Sequence, residues 1–339
     1  MNNKCKFISH TSTASEKPLR VKEIGSFYVG GQDVTLEGLP TYEAVAVPGG
    51  APRKVDPNGD FITGQMYVQY VQLADTKAKY PLLMWHGGGL TGSNWETKPD
   101  GQPGWQSFFL KAGHDIYISD AVERGRSSWS RYPELYKTEP VFRPKKEAWE
   151  SFRIGPLYAT NPSERIAFPG VLFPIDAFDE FMKQAVPRWT SNNAAIQAAY
   201  DQLLQKMGPC VLLVHSQAGP FAEKAALNAP DKVKAIVLLE SAGSPNIEKE
   251  NLAAVKNIPH LFIWGDNVQK YPTWAGPKGY YAISERYRDA LVASGVPVSW
   301  IDLPQIGITG NSHMMMMDKN SDAIATIIQK WLEDQRLMK

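Results

Sequence analysis

Cysteine is nearly missing from this sequence: 339 residues hold two, Cys5 and Cys210. Two thiols provide neither a disulfide framework nor metal-ligand spacing, so no metal is expected. Cys210 opens an apolar run and reads as a small core residue. No run of about 18 apolar residues occurs, so nothing in the chain reads as a membrane-spanning helix. Excess charge is also lacking. Lys+Arg number 36 against 35 Asp+Glu, a net +1, and no basic block or acidic tail stands out. That pattern offers nucleic acid no electrostatic footprint. The opening "MNNKCKFISHTSTASEKPLR" lacks the apolar centre of a signal peptide. Residues 1–24 are therefore expected to be a loose tail, on a chain that is cytoplasmic unless a secretion signal has been removed. Internal repeats and low-complexity tracts are absent too, and "HMMMM" at 313–317 reads as core methionines around a loop.

What the chain does have is a regular alternation of apolar strands and amphipathic helices, with 43% hydrophobic residues to fill a core. "GSFYVGGQDVTLEG" reads as a hairpin pivoting on Gly30-Gly31. The strands "QMYVQYVQLA", "PLLMWHGGG", "HDIYISD", "PCVLLVHS", "VKAIVLLES", "PHLFIWGD" and "PVSWIDLP" follow in order. Helices are expected at "GWQSFFLKAG", "NNAAIQAAYDQLLQKMG" (with an Asn cap), "PFAEKAALNA", "YAISERYRDALVASG" and "SDAIATIIQKWLEDQ". Strands apolar throughout and separated by helices imply an α/β fold, a mostly parallel sheet of about eight strands covered on both faces. Residues 25–339 read as one such domain. In these sheets ligands bind beyond the carboxyl ends of the strands, so the residues just after each strand carry the information.

Those positions hold "HGGGLTG" from His86, then Asp120 with "ERGRSS", Ser216, Glu240 and Asp266. His313 comes last, in "GNSHMMMMDKN". A serine, a choice of acids and a histidine thus occur in the order Ser…acid…His. Taken together, these segments resemble the α/β-hydrolases: a nucleophile elbow at Ser216, a glycine-rich oxyanion loop and a histidine after the last strand. "HGGGLTGSNWETKPDGQPGW", "VHSQAGPF" and "GNSHMMMMDKN" are more narrowly similar to a branch of bacterial esterases with an HSQ elbow. The resemblance implies a glutamate acid after the sixth strand, at Glu240. The branch carries paired cysteines in the oxyanion loop, where this chain has Gly88-Gly89.

The elbow departs from GxSxG, with Val214 and Ala218 at the glycine positions and Gly219 next. Position sorts the six histidines. His10 lies in the tail, His114 before a strand, and His260 at the wrong end of one. His215 adjoins the serine and cannot fold back onto it, and His86 belongs to the glycine loop. His313 is left as the base. The acid is Glu240 or, as alternative, Asp266; Glu240 starts one strand closer to the serine and has the longer side chain. The backbone N–H groups of Gly88 and Gln217 are assigned to the oxyanion. The glycine loop lacks the GxGxxG or Walker-lysine context of a phosphate site, and no dinucleotide fingerprint supports a dehydrogenase. Asp120 with Arg124, Arg126 and Ser127 reads as a structural turn.

Residues 131–190 have no strong period and many aromatics, which suggests a partly helical cap over Ser216. Trp149 and Phe173 from this segment, with Gly89, are expected to touch substrate; packing against a partner subunit is the competing reading. The function implied is cleavage of a small-molecule carboxylic ester through an acyl-enzyme, without cofactor. Lactonase, amidase or thioesterase chemistry on the same triad, and a non-catalytic ligand receptor on this scaffold, are the alternatives. The sequence leaves a homodimer open.

Overall fold

A computed structural model describes residues 18–339. Residues 1–17, most of the expected tail, lie outside the described residues. The sheet begins inside the remainder of that tail: β1 spans Val21–Leu36 and pairs antiparallel with β4, Gly59–Leu73. Between them lies a small ribbon of β2 (Tyr42–Ala44) and β3 (Arg53–Val55). The expected hairpin at Gly30-Gly31 is not there, because β1 runs straight through. Both glycines have positive φ, 70° and 90°, and so does Gly64 of β4 at 78°. Gly31 and Gly64 fall between the pairs Gly30–Gln65 and Gln32–Thr63. Glycines set against each other bend two long strands together, and a Gly-Gly pair in one sequence does not distinguish that bend from a reversal.

The remaining strands are β5 (Leu82–Trp85), β6 (Ile116–Asp120), β7 (Cys210–His215), β8 (Val233–Leu239), β9 (His260–Trp264) and β10 (Val298–Asp302). They form one eight-stranded sheet in the order β1-β4-β6-β5-β7-β8-β9-β10. From β6 to β10 all neighbours are parallel, and β4 is antiparallel to both of its neighbours.

Alternate residues of the central strands serve two separate cores, as the two-residue period of a strand requires. Leu82, Met84, Val211, Leu213, Val237 and Ile263 face one core, which includes α1 (Trp105–Ala112) and α7 (Ser321–Asp334). Leu83, Trp85, Leu212, Val214, Ile236 and Phe262 face the other, with α4 (Asn193–Met207), α5 (Ala218–Asn228) and α6 (Tyr280–Ala293). Cys210 is buried in that second core, and Met314–Met317 are buried in the first. Asn192 stands at the start of α4 without capping it. Its amide donates to Glu123 Oε2 instead, at 2.9 Å.

The segment 131–190 contains α2 (Lys145–Ser151), α3 (Phe178–Phe181) and several single 3-10 turns. Its aromatic side chains Trp149, Phe152, Phe173, Phe178 and Phe181 belong to the same core as Met314–Met317. Backbone bonds tie it to both loops that matter below: Val186 N–H donates to Gly89 O, and His313 N–H to Phe152 O.

Candidate active site

β7 ends at His215, and Ser216 follows with φ of 54°, a left-handed conformation that non-glycine residues seldom adopt. The chain turns there into α5, which lifts the serine to the edge of the sheet. Such turns hold about 1–3 kcal/mol of strain and persist only where the surroundings fix them. Gly219 is part of the fixing: a Cβ on it would overlap Ser241 Oγ just beyond β8, so only glycine lets α5 pass this close. The elbow places its critical glycine three residues after the serine, and Val214 at the first consensus position simply packs into the second core.

Glu240 follows β8 in the same way, with φ of 45°. His215 and Leu239 are paired in the register of β7 and β8, so Ser216 and Glu240 leave the sheet side by side. The Glu240 carboxylate is fully buried. Its Oε2 accepts from His313 Nδ1 at 2.5 Å, and its Oε1 accepts from Gly265 N–H at 2.8 Å. Arg153 Nη2 donates to the same Oε1. Arg153 is itself fully buried; its Nε donates to Asp266 O at 2.8 Å, and its guanidinium lies 5.3 Å from the Trp274 ring. Burial alone would raise the Glu240 carboxyl, but the Arg153 charge and then the His313 bond outweigh it and hold it down at about 2.

Asp266, the alternative acid, makes no contact with the His313 ring. Its Oδ2 accepts from Gly310 N–H at 3.0 Å and its Oδ1 from Asn267 N–H at 2.7 Å. It braces the histidine loop from below. The same loop is held by buried Asp318, which accepts from Ser312 N–H (2.8 Å), Ser312 Oγ (2.7 Å) and Asn311 Nδ2 (3.0 Å).

His313 is buried between three rings: Trp274 at 4.3 Å, His215 at 4.4 Å and Phe152 at 5.2 Å. Burial pushes its imidazole down to about 4, against the pull of Glu240. With Nδ1 bonded to a carboxylate, the proton sits there and Nε2 is the free lone pair. His215 supports this arrangement through the backbone, its Nε2 lying 2.9 Å from His313 O. His86 is structural: Nδ1 donates to Gly87 O at 2.8 Å and Nε2 accepts from Ala121 N–H at 2.9 Å. Asp120 takes Gly92 N–H at 2.7 Å and Arg126 Nε at 2.8 Å, a salt-bridged turn under the glycine loop.

Ser216, His313, Gly88 and Gln217 line one cavity of about 360 Å³. Among the described residues no group accepts from the N–H of Gly88 or Gln217. The three expected substrate contacts do not line this cavity. Trp149 and Phe173 are fully buried core residues outside its lining, and Gly89 is not part of the lining either. Aromatic richness marked packing rather than a pocket. The segment 131–190 instead lines the cavity with Arg143, Glu147, Ser151, Phe152 and Arg188. Trp274, from the loop after β9, completes the wall beside His313. Arg153 and Trp274 escaped the sequence reading; the one hint at Arg153 is a lone cation in "WESFRIG", directly after Phe152 and before Ile154.

No family model matches the chain. Its fold is similar to the solved structure of a bacterial esterase, at 34% identity and a TM-score of 0.80, covering 96% of this chain and 99% of that one. The chain belongs to that esterase's family, within the α/β-hydrolases. This hydrolase is also similar to a probable secreted lipase, phiG, of a fungal species (strain ATCC 74256). The two are 28% identical over 331 aligned residues, covering 82% of this chain and 88% of the lipase. No helix among the described residues is long and apolar enough to cross a membrane.

Proposed function

We propose that this hydrolase cleaves carboxylic esters with Ser216 as nucleophile, His313 as general base and Glu240 as the acid that orients it. The bond of 2.5 Å between His313 Nδ1 and Glu240 Oε2 carries the reading, because it leaves Nε2 as the basic nitrogen in a cavity shared with Ser216. In the first step Ser216 Oγ attacks the ester carbonyl and His313 Nε2 takes its proton. The N–H groups of Gly88 and Gln217 receive the oxyanion, a type of contact typically worth about 3–4 kcal/mol per donor. His313 then returns the proton to the departing alcohol. Water, deprotonated by the same nitrogen, releases the acid from Ser216. Glu240 stays ionised throughout and stabilises the imidazolium formed in each half. The segment 131–190 acts as a fixed cap that walls the cavity and supplies Arg153 to the acid.

A fluorophosphonate label followed by peptide mapping tests the nucleophile, and a panel of esters, lactones and amides tests the reaction class. A label on Ser216 with ester turnover is the expected result. A label on another serine overturns the assignment, and turnover of lactones or amides in preference to esters overturns the reaction class.

A further inference from the structure

The cavity at Ser216 is walled by two arginines, and one of them has no partner. Arg143 is satisfied: its Nε meets Glu147 Oε1 at 3.1 Å and its Nη1 donates to Gly88 O at 2.9 Å. Its guanidinium also lies 4.8 Å from the Phe152 ring. Arg188 lines the same cavity half-buried, and among the described residues no carboxylate lies within salt-bridge distance and no acceptor takes a bond from its guanidinium. A desolvated, unpaired guanidinium is costly unless something else supplies the anion. The charges around it do not. Glu147, the one carboxylate in the cavity lining, is bonded to Arg143 and reaches Arg188 only through space, too weakly to offset burial and Arg143, while burial keeps His313 neutral near pH 7. Buried Arg124 adds a further positive charge close enough to be felt, and burial and then Arg143 already push Arg188 below its ordinary range.

The position of Arg188 is as telling as its charge. A Cβ on Gly88 would come within 2.5 Å of Arg188 Nη1, and a Cβ on the adjacent Gly87 within 3.1 Å of Ser216 Cβ. The guanidinium and the nucleophile therefore flank consecutive residues of one loop, whose Cα atoms are about 3.8 Å apart. A group held by Arg188 would sit a few bonds from the ester carbonyl.

We infer that the ester cleaved at Ser216 carries a second, ionised carboxylate, which Arg188 holds. The planar guanidinium fork matches a carboxylate with two parallel bonds, which fixes orientation as well as charge. A cavity of about 360 Å³ suits a short molecule of this kind. A long apolar acyl chain would have to bury the same guanidinium without an acceptor. The inference rests on the serine-hydrolase reading above and narrows it to small anionic esters.

Two matched pairs of esters test it, each differing by a carboxylate against an isopropyl group of the same shape. Monomethyl succinate against methyl isocaproate places the charge on the acyl side; O-acetylglycolate against isobutyl acetate places it on the alcohol side. The expected result is that the anionic member of at least one pair has the higher kcat/KM by tenfold or more. R188M should lower that ratio at least tenfold, and R188K less. Preference for the neutral member in both pairs overturns the inference without needing any variant to fold. An equal ratio in wild type and folded R188M overturns the role of Arg188. If neither pair is turned over and the fluorophosphonate does not label Ser216, the hydrolase reading itself has failed, which the label distinguishes from failure of the carboxylate.

Discussion

The ends of the parallel strands and the segment 131–190 meet at one cavity but contribute different things to it. From the strands come Ser216 and Glu240, each in a left-handed conformation directly after its strand. Neighbouring strands lie about 4.8 Å apart, so the sheet alone brings the two groups close before any side-chain reach is counted. From the inserted segment come Arg143, Arg153 and Arg188, three cations without sequence periodicity. One contacts the oxyanion loop, one fixes the acid, and one stands unpaired beside Gly88. The scaffold thus places the groups to which the proposed mechanism gives the chemistry. The insertion places charge around them, which adjusts their pKa values and, on the proposed reading, selects what enters.

The division is sharpest where substitutions should cost most. Ser216→Ala removes the proposed nucleophile and only one oxygen, so turnover should fall by about 10⁴-fold or more with the fold intact. His313→Ala should cost a similar factor, since members of a triad act as a unit. Steady-state rates alongside circular dichroism would check both, and a folded His313→Ala enzyme with wild-type turnover would move the base elsewhere. Glu240→Gln keeps the shape but presents the wrong partner to His313 Nδ1, and should lower kcat by up to about 10⁴-fold. Asp266→Asn loosens only the bonds to Gly310 and Asn267, so its loss should be far smaller. The reverse ranking in two folded variants would transfer the acid to Asp266.

Arg153 tests the insertion's half of the comparison. It does not line the cavity and is bonded to Glu240, so Arg153→Met should lower kcat by roughly 10–100-fold, the scale of losing a supporting partner. A shifted pH profile separates positioning from mere structure. The base works only when neutral, so activity is lost as pH falls through the His313 pKa, about 4 in the wild type. The Arg153 charge is one of the forces keeping that value low, after burial and against Glu240. Its removal should raise the pKa and move the acid limb of kcat/KM to higher pH. Arg153→Lys, which keeps the charge, should restore the limb more than the rate. An unmoved limb in Arg153→Met would reduce Arg153 to a packing residue.

The same two regions explain how much could be read in advance. Strand and helix identity, the sheet's parallel character and the order Ser…Glu…His are written in local patterns: apolar runs, glycine stops and residues immediately after them. That Glu240 rather than Asp266 contacts His313 was legible only through reach and family likeness. In the insertion no local pattern exists, because Arg153 owes its role to residues 87 and 113 positions away in the chain, Glu240 and Asp266. Gly30-Gly31 was misread for a related reason: its meaning depends on Gly64, which faces it only in the folded sheet.

The smallest effect on turnover is expected at the two aromatic residues for which the sequence suggested substrate contact. Trp149 has no exposed surface, packs edge-on against Phe178 at 5.0 Å, and donates from Nε1 to Ile166 O at 3.3 Å. Phe173 is equally buried, against Phe178 and Phe181. Trp149→Phe and Phe173→Leu remove volume from a packed core and should each cost about 1–3 kcal/mol of stability. In a chain of this size that is a drop of several degrees in Tm. Neither side chain lines the cavity, so preference between short and long esters should shift by less than about twofold. Phe152 supplies the contrast: it lines the cavity, packs on the His313 ring, and accepts the His313 N–H on its carbonyl. Phe152→Leu should alter chain-length preference more than either core variant while costing no more stability. If Trp149→Phe shifts preference further than Phe152→Leu does, the insertion's interior governs the pocket's shape, and the line between packing and selecting residues has to be redrawn inside it.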